Sequence, residues 1–336
     1  MLTISRGRVA AATLTAIILV ALLGGLAGCT GETGASGSAG PTGPQGPKGD
    51  SGEDATIACS ACHDAAGTVN AKQIQWTESG HGEGEAWEYA GGRDNCTSCH
   101  SGTGFVAWTA AGGPTNATDT DANNTPIDCR ACHNTHTTYT GADWAFTSVA
   151  PVAMIIDASS TYDVGNSNLC ATCHQSRTAS GAAAITSTHY GAHHGPQANM
   201  MLGIGGYGVT GDTRSAHYSQ VEGGCITCHM TADPTFGVGG HTFTPSLDAC
   251  QSCHSGLDTF DRRDTQTDVR GLLTELEDLL EDVGAMHDGH PVVGEWGEII
   301  TGAVYNYMFV LEDASFGVHN GWYAIQLLEM SIANLS

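Results

Sequence analysis

The sequence predicts a mainly α protein with extensive irregular loops, closed by a C-terminal helical hairpin or bundle. Three observations predict it. Six short cysteine-histidine motifs each need one helical turn, 46 glycines among 336 residues interrupt anything longer between them, and from residue 266 onward apolar side chains recur at helical spacing. Length alone allows two or three domains. Aromatic residues make up 7%, which is thin for a core of this size, and charged residues 14%, well below the roughly 25% usual in soluble domains. Thirty-five acidic residues against eleven basic ones give a formal net charge of −24, which argues against nucleic acid as a partner, because phosphates need basic side chains. Thirteen cysteines and sixteen histidines are the outliers. They point to an added prosthetic group that supplies apolar bulk.

The amino end reads as a targeting segment. Arg6 and Arg8 precede an apolar run from Val9 to Ala27, the pattern of a secretory signal. The run ends in Leu26-Ala27-Gly28-Cys29, which resembles a bacterial lipobox; residues 1–28 are then the signal peptide and Cys29 the lipidated first residue of the mature chain. The alternative is an uncleaved membrane anchor, since a run of about 20 apolar residues spans a bilayer. Either way the remainder is exported, and an outer-membrane or cell-surface position is expected over the periplasmic face. Residues 29–54 follow as a spacer in which glycine falls at 31, 34, 37, 40, 43, 46, 49 and 52. Such a collagen-like G-x-y repeat suits a triple helix. With only Pro41, Pro44 and Pro47 in eight triplets, a flexible spacer is the expectation and a trimeric stalk the alternative.

The other twelve cysteines form six C-x-x-C-H motifs: Cys59–Cys62–His63, Cys96–Cys99–His100, Cys129–Cys132–His133, Cys170–Cys173–His174, Cys225–Cys228–His229 and Cys250–Cys253–His254. This is the attachment signature of c-type haem. On one helical turn residues i, i+3 and i+4 share a face. Two thiols can then bond the two vinyl groups while the imidazole reaches the iron from the same side. Zinc ribbons do not need a histidine after every second cysteine, and a disulfide framework does not confine cysteines to adjacent pairs. Six covalently bound haems in residues 55–260 are therefore expected, close enough together for electrons to hop between them.

The motif histidines His63, His100, His133, His174, His229 and His254 are the proximal ligands on this reading. The second axial ligand separates a wire from an enzyme: iron held by two imidazoles carries electrons, whereas an open position binds a small molecule. Ten histidines remain, enough for bis-histidine ligation throughout. His81, His136, His193, His194, His217, His241 and His319 are the distal candidates, with His189 in the same cluster as His193 and His194. His81 is flanked by glycines that allow close approach to a porphyrin. His136 follows His133 too closely to close over the same iron, so a neighbouring haem is its target. His287 and His290 read as surface loop.

Helices are legible mainly in residues 261–336, expected to pack on the haems. Val269, Leu272, Leu273, Leu276, Leu279, Leu280 and Val283 line one face of a helix over 266–283, opposite an acidic face. A second helix is expected over 295–312 and a third from Asn320 to Leu335. Between 55 and 260 no strand alternation persists.

With these motifs in view, the chain from about residue 55 to 336 resembles multihaem c-type cytochromes of the outer-surface electron-transfer kind, as in CTSCHSGTGF, HHGPQANMM, GCITCHM and ASFGVHNGWYAIQLL. The resemblance implies a multihaem cytochrome c scaffold serving a redox partner protein or an extracellular acceptor. The stretch from His217 to Cys250 also resembles the later part of pentahaem nitrite reductases, which implies distal roles for His217 and His241. Those reductases usually carry a C-x-x-C-K haem, and all six motifs here end in histidine. An electron carrier with no catalytic residues is therefore expected, with a reductase of nitrite, hydroxylamine or a related compound as one alternative. A homo-oligomer, up to a polymerising filament, is the other.

Overall fold

The unit from which much of the chain is built is a single helical turn closed by its own histidine. In the computed structural model, which describes His63 and residues 68–93, 95–112, 123–211, 213–232 and 239–336, every described C-x-x-C-H stretch adopts it. The histidine N–H donates to the carbonyl of the first cysteine at 3.0 Å for His100, 2.8 Å for His133, 2.9 Å for His174 and 2.8 Å for His254. The fifth motif, Cys225–His229, is itself a helix. Residues 1–54, with Cys29 and the spacer, and Cys59 and Cys62 of the first motif lie outside the described residues.

Polar side chains cap one of these turns and the helix that follows another. Asp128 accepts the Arg130 N–H at 2.9 Å ahead of Cys129–Cys132. Ser101 accepts from Gly104 at 3.1 Å ahead of the helix Gly102–Ala110. Such caps satisfy amide groups that a short helix otherwise leaves orphaned. The motif helix Asn168–Cys173 buries Asn168, Leu169 and Ala171. Leu169 packs with Phe105 and Ala131, a small cluster flanked by Cys132 and Cys173. Ala171 packs with Met154, Tyr162, Ala198, Met201 and Leu202, a second cluster that Cys225 flanks.

Strands are few and short, but they exist where no alternation predicts them. Val152–Met154 pairs antiparallel with Asp157–Tyr162. The second strand reads DASSTY and buries only Tyr162 fully, so its sequence carries no apolar period. Ala184–Ile185 pairs with Gly294–Glu295, and Met286–His287 with His290–Pro291. The last pair is a hairpin across Asp288 and Gly289, both at positive φ (49° and 74°), the backbone that an Asp-Gly turn favours.

Three C-terminal helices, Thr265–Asp282, Glu298–Asp313 and Gly321–Leu335, pack pairwise on one another. Their bounds fall close to those the periodicity predicts, with Asn320 as N-cap of the last, accepting from Tyr323 at 3.3 Å. The first buries Val269, Leu273, Leu276 and Leu280 and turns its acidic side outward. The second is buried from Thr301 to Val310, and the third through Tyr323, Ala324, Leu327, Leu328 and Ser331. Ile185, Tyr190, Ala192 and Met200 join this core from earlier in the chain.

A polar clamp fixes an outlying loop to the core. Fully buried Asn306 accepts the Tyr207 N–H at 2.7 Å, donates to the Tyr207 carbonyl at 3.1 Å and meets Ser331 Oγ at 3.0 Å. One turn earlier, a Cβ on Gly302 would overlap the Tyr207 ring. Asn306→Ala leaves these groups buried and unpaired, at a cost of about 1–3 kcal/mol. The expected outcome is a lower Tm by circular dichroism, whereas Asn334→Ala in the last turn should not change it.

Candidate functional site

The fold brings each of the six motif histidines to one histidine from elsewhere in the chain. Ring centroids lie 6.4 Å apart for His63 and His136, 6.0 Å for His174 and His81, and 6.0 Å for His100 and His193. They lie 6.3 Å apart for His133 and His241, 6.1 Å for His254 and His217, and 6.2 Å for His229 and His319. Two imidazole–metal bonds of about 2 Å, with roughly 1 Å more from each nitrogen to its ring centre, span about 6 Å, so each pair fits one metal between its rings. Among the described residues no cluster of three or more ligating side chains could hold a bare metal ion. Each pair could hold a cofactor metal that brings its remaining ligands with it, and the adjacent cysteines suit a covalently attached cofactor.

Nδ1 hydrogen bonds orient many of these rings. His133 donates to the Trp144 carbonyl at 2.8 Å, His229 to the Phe243 carbonyl at 2.8 Å and His174 to Gln197 Oε1 at 3.1 Å. Opposite them, His217 donates to the Val318 carbonyl at 2.7 Å, His241 to the Gly239 carbonyl at 3.0 Å and His319 to Asp313 Oδ1 at 2.7 Å. A proton held on Nδ1 leaves the Nε2 lone pair for a metal. Burial keeps that lone pair free. It lowers His81 to about 4, helped by the charge of His174, and His193 to about 4, helped by Arg177. His100, His133 and His241 are lowered too, burial being the first cause.

Local structure explains how the non-motif histidines reach their partners. Thr138 and Tyr139 donate their N–H groups to Asp143 at 2.7 and 3.0 Å, rounding the loop that carries His136 at φ +60°. Ser215 caps the helix Ala216–Gln220 and also donates to the His319 carbonyl at 2.5 Å, so His217 and His319 are held by one clamp. Gln75, fully buried, accepts the His241 N–H at 3.0 Å and leaves its Nε2 without a partner. A buried donor of this kind calls for an acceptor, and a cofactor carboxylate would be one.

His194 is the distal candidate the fold does not bring to a motif histidine. Its ring is 5.6 Å from that of His193, its side chain is 62% exposed, and its Nδ1 lies 2.6 Å from Glu312 Oε2. Its neighbour takes the partner instead: His193 sits at φ +73°, where the backbone turns its ring toward His100. His189 is exposed, and His287 pairs only with Asp288 at 3.4 Å on the surface.

The motifs also touch one another. Cys225 lies beside Cys170 and 3.3 Å from Tyr162 OH. Cys99 lies beside Cys173. Phe243, missed by sequence reasoning, places its ring 4.7 Å from His81 and 6.1 Å from His241 while its carbonyl takes the His229 proton. Asp313 was likewise not legible as a partner of His319, because nothing in a single sequence marks a carboxylate six residues ahead of a histidine.

Residues 51–144 match the cytochrome c3 family model. No curated protein matches the chain. Two solved structures resemble its fold. The outer cell wall cytochrome OcwA has a TM-score of 0.54 and 22% identity over 79% of this chain and 50% of its own. The undecahaem cytochrome from the S-layer of Carboxydothermus ferrireducens has a TM-score of 0.50 and 18% identity over 76% of this chain and 40% of its own. The chain thus spans half or less of the length of these cytochromes.

The pairing distinguishes neighbouring histidines. His193→Ala and His319→Ala are each expected to convert one low-spin iron to high-spin, read by optical and magnetic circular dichroism spectra, with covalent haem content unchanged. His194→Ala is expected to convert none. The fold of the chain is that of a multihaem cytochrome c, with a cytochrome c3-like segment at residues 51–144.

Proposed function

We propose that the chain is an exported hexahaem c-type cytochrome that carries electrons to an extracellular or periplasmic acceptor. One observation carries this reading: each motif histidine faces one further histidine at 6.0–6.4 Å. The haems, when bound, supply one-electron chemistry. The chain supplies everything else. Cys59 and Cys62, Cys96 and Cys99, Cys129 and Cys132, Cys170 and Cys173, Cys225 and Cys228, and Cys250 and Cys253 anchor the six groups. His63, His100, His133, His174, His229 and His254 ligate from one side, and His136, His193, His241, His81, His319 and His217 from the other.

Two imidazoles on every iron support a carrier over a reductase, since no open coordination position is left for nitrite or hydroxylamine. The pairs are completed within one chain, so a filament needs no ligand donated by another copy. Motif-to-motif contacts support close spacing. The motif at 170–174 meets the motif at 96–100 through Cys173 and the motif at 225–229 through Cys170. It also meets the motif at 129–133 across the cluster of Phe105, Ala131 and Leu169.

Placement outside the cytoplasm rests on the leader at 1–28 and the lipobox ending in Cys29, with 29–54 as a spacer between membrane and haem domain. The outer-cell-wall and S-layer cytochromes that share the fold are consistent with it. Among the described residues no helix is long and apolar enough to cross a membrane. A chain of net charge −24 would dock fastest at low salt with a redox partner bearing a basic patch.

Two measurements on the purified holoprotein test the reading. Intact mass is expected to exceed that of the processed polypeptide by six haems, and carbon monoxide is expected to leave the reduced spectrum unchanged. Fewer than six haems would overturn the count. A carbon monoxide adduct would favour the reductase.

A further inference from the structure

The six pairs differ in one respect that is visible in their hydrogen bonds. His133, His217, His229 and His241 donate Nδ1–H to backbone carbonyls, and His174 donates to an amide oxygen. Among the described residues His319 is the one paired histidine that donates to a carboxylate, Asp313 Oδ1, at 2.7 Å. The Asp313 side chain is 1% exposed. Its second oxygen accepts from Ser315 Oγ, which in turn accepts the His319 N–H at 3.1 Å. Neither lysine nor arginine forms an ion pair with it among the described residues.

Stability gives this carboxylate little reason to be there. Asp313 is the last residue of the helix Glu298–Asp313, at the negative end of the helix dipole, where a negative charge is unfavourable. Taking it out of water is unfavourable unless a partner compensates. The imidazole N–H and the Ser315 hydroxyl are that compensation.

Resting on the pairing of His229 with His319 proposed above, we propose that Asp313 is a positioning residue that gives this site the lowest reduction potential of the six. A carboxylate accepting the far N–H makes the ligating nitrogen a stronger donor, and its charge, held away from water, favours ferric over ferrous iron. The location gives this consequence. Cys225 packs on the cluster that contains Ala171, while the helix Cys225–His229 contacts the stretch Leu247–Gln251 that carries Cys250. The motif at 225–229 therefore stands between the motif at 170–174 and the motif at 250–254. An electron crossing between those two passes the site that holds it least tightly, so exchange with the 250–254 end is slowed relative to exchange among the rest.

The test is Asp313→Asn, which keeps an oxygen acceptor for His319 and removes the charge. In a spectroelectrochemical titration of the holoprotein, the lowest of the six one-electron components is expected to rise. The expected rise is at least one tenfold change in its ferric-to-ferrous ratio at fixed potential, 59 mV for a one-electron couple, with the other five components in place. Asp313→Glu is expected to retain the low component. An unmoved lowest component in Asp313→Asn, or a shift confined to a higher one, overturns the proposal. Should Asp313→Asn fail to assemble, Ser315→Ala decides: it leaves the carboxylate a stronger acceptor for His319, so the lowest component should stay or fall, and a rise overturns the proposal. Failure of the underlying pairing is distinct, because His319→Ala would then leave every iron low-spin.

Discussion

The separation that two imidazoles would need to face one metal is the constraint around which the rest of the structure is organised. It is about 6 Å between ring centres, and the chain meets it six times with partners drawn from distant segments, as when His81 meets His174 or His133 meets His241. A regular helix or sheet cannot satisfy so many separate closures. The backbone between motifs bends at two of the paired histidines, His136 and His193, and at Phe243 beside His241, all at positive φ. A non-glycine residue there costs on the order of 1 kcal/mol or more, which the surrounding contacts must offset.

The same constraint divides the molecule into two kinds of core. The three C-terminal helices close around Leu276, Leu280, Tyr305, Phe309, Tyr323 and Leu327, a core built from side chains. Among its described residues the motif region has two small clusters, one around Phe105, Ala131 and Leu169 and one around Met154, Tyr162 and Ala171, with motif cysteines packed on both. Bulk on the far side of those cysteines is what the low aromatic content calls for, and a covalent porphyrin supplies it. Helical core and motif region are joined by polar clamps: Asn320 Nδ2 donates to the Met200 and Thr213 carbonyls at 3.0 and 2.7 Å, and Ser215 and His217 hold the segment at Val318 and His319.

What the sequence made legible follows from range. The cysteine-histidine turn is local, governed by the i, i+4 geometry of one helical turn, so all six motifs could be read directly. The apolar period of 265–282 is local too, and its helix falls within a residue of expectation. Which histidine meets which motif is not local. Composition supplies enough partners, but the choice of His193 over His194 turns on a left-handed backbone residue and on Glu312 from a distant helix. Asp313 became visible only once the chain beyond it folded His319 back beside it. The strand Asp157–Tyr162 escaped notice because its polar side chains carry no alternation.

Low-temperature EPR of the fully oxidised holoprotein, quantified by spin, tests the central claim most directly. The account predicts six low-spin ferric irons and no high-spin signal. They should form two groups: strongly anisotropic signals from the three pairs whose rings cross at 74°, 87° and 71°, and more rhombic ones from the three at 35°, 32° and 44°. A high-spin signal integrating to one iron or more would contradict it, because at least one metal would then lack its second imidazole.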